Sequence, residues 1–87
     1  GEVYYSKNKN ECDFLVKKGV KITSAIQACY NLNEGNKERE TNGLMEALKK
    51  FGLKEGLILT YDQEQEIKRE NKKITVKPVW KWLLEQQ

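Results

Sequence analysis

The stretch at residues 44–61, LMEALKKFGLKEGLILTY, contains a change of hydrophobic period that decides the fold class. In its first half, apolar side chains recur at i, i+3, i+4 and i+7, namely at Leu44, Ala47, Leu48 and Phe51. This spacing predicts one apolar stripe of an amphipathic helix. Gly52 suits the left-handed position that follows a helix. Residues 57–61 form a short, continuously apolar run, which is typical of a central strand covered on both faces.

The predicted helix begins near Asn36, a plausible N-cap residue. Glu38 and Glu40 stand in its first turn, where acidic side chains interact favourably with the helix dipole. Asn36 follows a polar break over residues 33–36, so the helix is separated from the segment before it.

Three strands are predicted before this helix, over residues 3–7, 11–17 and 22–32, joined by two turns. They form an antiparallel meander. In the third strand, alternation assigns Ile26, Ala28, Tyr30 and Leu32 to the apolar face. The side chains predicted on the opposite face are Gln27, Cys29 and Asn31.

After the strand at residues 57–61, the segments 67–69 and 74–77 fit either a hairpin around Asn71 and Lys72 or one extended segment that enters a final strand. Pro78 has no N–H donor and belongs at a strand end or a sheet edge. Trp80, Leu83 and Leu84 share one face of a short terminal helix. The predicted order is β-β-β-α-β-β-α, an α/β fold with mixed strand pairing in one domain over residues 1–87.

Composition excludes several functions. Of 87 residues, 16 are basic and 13 acidic, leaving a net charge of +3 without a basic tail, although a basic patch can still form in three dimensions. The chain has no histidine, so a Cys/His zinc site and His-dependent nucleophilic catalysis are excluded. The glycines form no phosphate-binding loop. No signal peptide and no membrane-spanning run are visible, and the two cysteines are expected to be buried thiols. The protein is therefore expected to be cytoplasmic and to have no membrane partner.

The remaining candidate site pairs an acid with an amide. Asp13 lies on the second predicted strand, and Gln27 lies on its hairpin partner with the parity that opposes the aliphatic face. The amide both donates and accepts, so Gln27 also suffices to satisfy Asp13 without a metal.

Five segments of the chain resemble a known domain: residues 11–16 (ECDFLV), 25–30 (AIQACY), 38–40 (ERE), 56–60 (GLILT) and 78–84 (PVWKWLL). The resemblance covers almost the whole chain and is to the C-terminal domain of unknown function attached to prokaryotic AAA-type ATPases. Such domains resemble the restriction-endonuclease-like PD-(D/E)xK superfamily, whose signature is an aspartate on one strand and (Asp/Glu)-x-Lys on the next.

Carried onto this chain, the signature is degenerate. Asp13 stands at the aspartate position, Gln27 at the second carboxylate and Cys29 at the lysine, and the first helix of the superfamily is absent before residue 1. Hard cations prefer anionic oxygen ligands, and a thiol replaces neither the charge nor the reach of a lysine. The resemblance therefore implies a non-catalytic, nuclease-like accessory domain without a cofactor of its own. It would contact nucleic acid or protein, with the ATPase activity in an N-terminal region of the same chain as its partner.

Two other classes of function stay open. One is an active nuclease dependent on Mg²⁺ or Mn²⁺ with a relocated site, in which Asp13 and Glu11 bind the metal and Lys17 replaces the missing lysine. The other is an oligomerisation domain. The terminal aromatic residues have two interpretations as well: Trp80 and Trp82 either pack as a lid on the core or, with nearby lysines, stack bases.

Overall fold

The computed structural model describes residues 2–5 and 14–87, and in them the chain forms an α/β fold of one mixed sheet and two helices. The strands are β1 (Glu2–Tyr5), β2 (Phe14–Lys18), β3 (Lys21–Ala28), β4 (Glu55–Thr60), β5 (Gln65–Arg69) and β6 (Lys72–Pro78). The helices are α1 (Lys37–Phe51) and α2 (Val79–Glu85). In these residues, neither helix is long and apolar enough to cross a bilayer.

The sheet has the order β1-β2-β3-β4-β6-β5. Strands β1, β2 and β3 form the predicted antiparallel meander, and α1 is the crossover that makes β3 and β4 parallel. Strands β4 and β6 are also parallel, and β5 is an antiparallel edge strand on β6. The central strands are therefore parallel, and antiparallel strands flank them on both sides.

The predicted order lacked one strand, because three strands rather than two follow α1. Of the two interpretations of residues 67–77, the hairpin is correct. Glu70 and Asn71 connect β5 to β6 with φ of 51° and 66°, the positive angles that a two-residue hairpin turn of type I′ requires.

Helix α1 begins and ends close to where its sequence signals predict. Asn36 is the N-cap residue, although its side chain makes no capping hydrogen bond. At the other end, Gly52 is left-handed with φ of 66°, and the Leu53 amide donates to the Leu48 carbonyl at 2.8 Å. This pairing satisfies a carbonyl that the end of the helix leaves open.

The main core lies between α1 and one face of the sheet. Its fully buried members are Leu44 and Leu48 from the helix and Ile58, Ile74 and Val76 from the strands. Helix and sheet approach closely at Gly56, where an added Cβ would lie 2.9 Å from Cδ2 of Leu44. Helix α2 packs on β6 and β4.

The predicted faces of β3 were wrong. Ala25 belongs to the core cluster and the Gln27 side chain bonds to α1, so this row faces the core. Of the four residues predicted on the apolar face, Ile26 is buried on the other face of β3, and Leu32, beyond the end of the strand, is buried in the core. Ala28 and Tyr30 are exposed, Tyr30 at 75%. Alternation fails here because β3 lies between two strands and is covered on both faces near Ile26, so that period 2 does not distinguish core from surface.

Candidate functional sites

The Gln27 side chain bonds to a carboxylate on α1. Gln27 is 6% exposed on β3, and its Nε2 donates to Oε1 of Glu40 at 2.9 Å. The other oxygen of Glu40, Oε2, accepts from Nη2 of Arg39 at 3.3 Å. The side chain of Glu40 is only 13% exposed, whereas that of Arg39 is 69% exposed. Helix α1 therefore supplies an acid to the predicted site, within its first turn.

Two of the predicted site residues, Asp13 and Glu11, lie outside the described residues. Their proximity to Gln27 and their role as metal ligands stay predictions. Among residues 14–87, no cluster of three or more acidic, cysteine or histidine side chains is arranged to hold a metal ion.

Strict alternation places Lys17 on the face predicted for Asp13, and the unbroken pairing of β2 with β1 keeps that alternation over residues 14–17. The register shifts between Val16 and Lys17, so Lys17 lies opposite Ile22, not opposite Thr23 as an unbroken ladder would give. The hydroxyl of Thr23 instead donates to the carbonyl of Val16 at 3.3 Å. The extra residue, Thr23, stands in β3, so the irregularity redirects side chains of β3 and not of β2. Whether Lys17 lies near Asp13 stays a prediction, because Asp13 is outside the described residues.

Cys29 is half-buried and packs against the core. Its Sγ accepts from Nδ2 of Asn36 at 3.7 Å, and the same amide donates to the Asn31 carbonyl at 2.9 Å. Cys29, at the position where the resemblance would place a lysine, thus contacts the loop that leads into α1. It brings no positive charge.

A second site, which sequence analysis missed, is a cavity of about 520 Å³ where the loop before β4 meets the β5–β6 hairpin. We call it the basic groove. Its lining comprises Lys54, Glu55, Lys68, Arg69, Glu70, Asn71, Lys72 and Lys73. Five of these residues are basic and two acidic, so the lining carries a charge of +3.

Cations oppose one another across the hairpin of the basic groove. Lys68 is paired with Lys73, and Arg69 is paired with Lys72. Like charges directly opposite in an antiparallel pair destabilise a sheet. Lys68 and Lys73 share one acid, Glu66, at 3.8 Å from each.

Three other side chains of the groove, those of Arg69, Glu70 and Lys72, have closer partners. Arg69 bonds to Glu38 and Asn42 of α1, and Nζ of Lys72 donates to the carbonyl of Leu53 at 2.7 Å. The hydrogen bond from Lys49 lowers the pKa of Glu70. Lys68 and Lys73 thus share one carboxylate between two ammonium groups, which leaves one positive charge unbalanced at this pair. In the sequence, the run KRENKK at residues 68–73 was the available signal.

Helix α2 presents a third feature, which we call the α2 patch. It comprises Val79, Trp80, Leu83 and Leu84, exposed at 41%, 56%, 53% and 60%. Of the two tryptophans predicted to pack as a lid on the core, Trp80 therefore does not, because it lies on this exposed side of the helix.

Trp82 is half-buried on the side of α2 that faces the sheet, where it lines a cavity of about 410 Å³ with Ile26 and Leu57. The lysines expected to accompany base stacking are already paired with acids. Nζ of Lys77 donates to Glu85 and Nζ of Lys81 to Glu64, each at 2.6 Å.

No family model matches the sequence, and no solved structure matches the chain. The chain is similar to the uncharacterized protein MJ1544 of Methanocaldococcus jannaschii, with 40% identity over 89 residues. The similarity covers 94% of this chain but 20% of the archaeal protein, so the chain spans about a fifth of the length of the curated relative it matches.

Proposed function

We propose that this chain is a non-catalytic, nuclease-like accessory domain of a prokaryotic ATPase and that it contacts nucleic acid through the basic groove. The observation that carries the non-catalytic part of the proposal is the partly buried hydrogen bond between Gln27 and Glu40. A metal-dependent nuclease of the superfamily that the chain resembles would have a carboxylate at the position of Gln27.

The charge at this position argues against metal-dependent cleavage. Phosphodiester hydrolysis of this type relies on carboxylates that hold a divalent cation, which activates water and neutralises developing charge. Gln27 is neutral, and the acid that it bonds to, Glu40, already accepts hydrogen bonds from the amide and from Arg39. A cation would have to break this arrangement to gain a single anionic ligand among the described residues.

The contact with nucleic acid is argued from charge and shape. Phosphate groups are attracted to lysine and arginine side chains, and displacement of their counterions makes such binding strongly dependent on salt. The basic groove concentrates on one concave surface a charge of +3, as large as the net charge of the whole chain. Lys68 and Lys73, paired across the hairpin with one carboxylate shared between them, leave a positive charge for a bound phosphate to balance.

The proposed partner in the same polypeptide is an N-terminal ATPase region. The similarity to about a fifth of a longer archaeal protein supports a domain that occurs within longer chains. The restriction-endonuclease-like fold is part of the proposal. A mixed sheet with parallel central strands and Gln27 on the strand before the crossover helix supports it.

The proposal is tested by binding of fluorescein-labelled DNA and RNA oligonucleotides, single- and double-stranded, followed by anisotropy in EDTA. We expect the double variant Lys68→Gln/Lys73→Gln to raise Kd at least about tenfold at about 0.1 M salt, where charges remote from the groove are largely screened. Because the variant removes two cations that each bind a phosphate, the slope of log K against log salt should become shallower by about 2.

The chain supplies a matched control. Lys18 and Lys21 are also opposed across a hairpin but do not line the groove. The variant Lys18→Gln/Lys21→Gln removes two positive charges, as the groove variant does. Its Kd should stay within about twofold of the wild type, because charges that do not contact the oligonucleotide are largely screened at moderate salt. Equal weakening by both pairs would mean that the charge of the whole molecule, and not the groove, binds the oligonucleotide. The absence of wild-type binding at low salt would remove the proposed contact.

The alternative is an active nuclease dependent on Mg²⁺ or Mn²⁺ with a relocated site. The position of Glu40 favours it, because a poorly exposed carboxylate lies 2.9 Å from the Gln27 amide. It requires Asp13 and Glu11 as further ligands, with Lys17 in the role of the missing lysine. Cleavage of DNA or RNA that needs either metal and disappears in Asp13→Ala would establish this function and exclude the non-catalytic one.

A further inference from the structure

The face of the sheet that is turned away from α1 is only partly covered. On β6, Ile74 and Val76 belong to the core on the α1 side. Lys73, Thr75 and Lys77 alternate with them and are half-buried on the opposite side, which we call the open face. The seven-residue helix α2 lies on this side and packs on β4 and β6. The described residues therefore leave part of the open face accessible beside α2.

The basic groove continues onto the open face. Lys68 on β5 and Lys73 on β6 are register partners, and so are Glu66 and Thr75. Directly opposed residues of an antiparallel pair share one face of the sheet. Lys68 and Lys73, the cations proposed to bind phosphate, therefore stand on the open face, where the side chains of β6 continue towards Lys77.

A second cavity adjoins the basic groove on this side of the sheet. It is the cavity of about 410 Å³ that Trp82 lines, and we call it the Trp82 cavity. Glu55 lines both the Trp82 cavity and the basic groove, so the two are contiguous. Lys77, which lines the Trp82 cavity, follows Lys73 by four residues, about 13 Å along β6. One extended ligand can therefore occupy both cavities.

The lining of the Trp82 cavity suits a planar ring with polar edges. Ile26 and Leu57 supply an aliphatic floor, and the half-buried indole of Trp82 supplies an aromatic wall. Three uncharged side chains that form hydrogen bonds also line it, namely Ser24, Thr75 and Gln86. A nucleobase combines the matching properties, because its faces stack on aromatic rings and its edges donate and accept hydrogen bonds.

The charges of the Trp82 cavity favour a base over a phosphate. Its lining contains one cation, Lys77, and two acids, Glu55 and Glu85. Nζ of Lys77 already donates to Glu85 at 2.6 Å. The adjoining basic groove carries a charge of +3. The two cavities thus offer separate places to the charged backbone and the uncharged base of a polynucleotide.

We propose that the Trp82 cavity binds an unpaired base of a single-stranded nucleic acid whose phosphates lie in the basic groove. The base stacks on the indole of Trp82, and the strand follows β6 from Lys73 past Thr75. A base within a duplex is stacked and paired, and it has to leave the duplex to enter a pocket. This inference rests on the proposed function and narrows its partner to single-stranded DNA or RNA.

Tryptophan fluorescence tests the stacking directly. The chain has two tryptophans, so the variant Trp80→Phe leaves Trp82 as the reporter. It is titrated with a single strand of mixed sequence, as DNA and as RNA, and with the same strands paired to their complements. We expect saturable quenching by a single strand and little quenching by the duplexes, because a base stacked on an indole quenches its fluorescence. The single strand that quenches at the lower concentration identifies the preferred sugar.

Anisotropy of the labelled strands separates stacking from charge. Trp82→Leu keeps an apolar side chain and should raise Kd for the single strand at least about fivefold, the low end of what one stacked base contributes. It should leave the salt slope unchanged, because it removes no cation. Trp80→Leu is the matched control, since Trp80 is 56% exposed and does not line the cavity. It should leave Kd within about twofold of the wild type.

The outcomes separate this inference from the proposed function. Binding that depends on Lys68 and Lys73 but leaves the fluorescence of Trp82 unchanged would overturn the inference and leave the proposed function standing. Equal weakening of single-strand and duplex binding by Trp82→Leu would also overturn it, because Trp82 would then support the groove and bind no base. The absence of all wild-type binding would overturn both. If circular dichroism shows that Trp82→Leu is unfolded, the quenching in Trp80→Phe decides.

Discussion

At the scale of single residues, the described part of the chain contains a buried polar side chain with a hydrogen-bond partner, Gln27, and one without such a partner, Thr41. The Gln27 amide is buried and donates to Glu40. Thr41 follows on the same helix with a fully buried hydroxyl, and its Oγ1 makes no hydrogen bond within the described part of the chain. Because a buried polar group costs free energy unless it is paired, substitutions at these two residues should have opposite effects.

Gln27→Glu should destabilise the fold at neutral pH. It places a second carboxylate 2.9 Å from Glu40 in a poorly solvated position, so the new acid should have a raised pKa. A carboxyl group whose pKa is higher in the folded chain than in the unfolded chain reduces stability at pH values above its unfolded pKa. The stability is regained as pH falls below that unfolded pKa. We expect a cost of about 1–3 kcal/mol at pH near 7, from urea unfolding, which diminishes towards pH ~4. Unchanged stability at neutral pH would show that the two side chains do not meet.

Thr41→Val should stabilise the protein or leave it unchanged. The substitution replaces an unpaired buried hydroxyl with a methyl group of similar size, and we expect a gain of up to about 1 kcal/mol in the free energy of unfolding. Thr41→Ser keeps the hydroxyl, removes the methyl group and should be less stable than the wild type. A loss of stability in Thr41→Val comparable to that in Thr41→Ser would mean that the hydroxyl has a partner.

At the scale of elements, α1 was predictable and β3 was only partly so. The helix carries its own signals, from Asn36 and the acids of its first turn to Gly52 at its end, and these act within a few residues. The face of β3 depends on its neighbours, because a strand buried on both sides has no single apolar row. Gln27 was therefore placed correctly in the strand but on the wrong face, and only the packing of α1 reveals its bond to Glu40.

The contact between α1 and β4 depends on the absence of a side chain at Gly56. An alanine Cβ there would lie 2.9 Å from Cδ2 and 3.0 Å from Cγ of Leu44, a fully buried residue. We expect Gly56→Ala to cost about 1–3 kcal/mol in urea unfolding, as overpacking of a core does. In a Leu44→Ala background, the additional cost of Gly56→Ala should largely disappear. If Gly56→Ala cost the same in the wild-type and Leu44→Ala backgrounds, the loss of stability would come from the backbone at residue 56 and not from the contact with Leu44.

The link between β6 and α2 predicts a pH dependence. The hydrogen bond from Lys77, opposed in part by desolvation, lowers the pKa of Glu85 below 4.5. A lowered carboxyl pKa adds stability above about pH 4.5 that is lost as pH falls through the folded value. Carboxyl titration by NMR should show the pKa of Glu85 rising towards 4.5 in Lys77→Met, while that of Glu70, which bonds to Lys49, stays low. An unchanged pKa of Glu85 would mean that the ion pair does not persist in solution.

At the scale of the whole molecule, sequence reasoning reached the fold class and the antiparallel meander but not the two surfaces. The basic groove joins Lys54 to residues 68–73, which meet only because β6 pairs with β4 and folds back on β5. The α2 patch was recognised as one face of a helix, yet its direction depends on how α2 docks. In both cases the composition was visible in the sequence, and the tertiary arrangement decided which way the side chains face.

The two surfaces lie at different ends of the parallel strands. Strands β4 and β6 begin at the basic groove and end where Tyr61 and α2 follow them. The basic groove and the start of α2 thus occupy separate parts of the molecule. The Gln27–Glu40 bond lies on the α1 face, apart from both.

Titration of the wild type with Mn²⁺, followed by paramagnetic broadening of assigned NMR signals, tests the central claim most directly. If Gln27 and Glu40 are held by their own hydrogen bond and not by a cation, the Gln27 side-chain amide and the amides of the first turn of α1 should broaden no more than those of exposed acidic residues elsewhere. Saturable broadening centred on Gln27 and Glu40 would contradict the account, because it would locate a functioning cation site where we propose none.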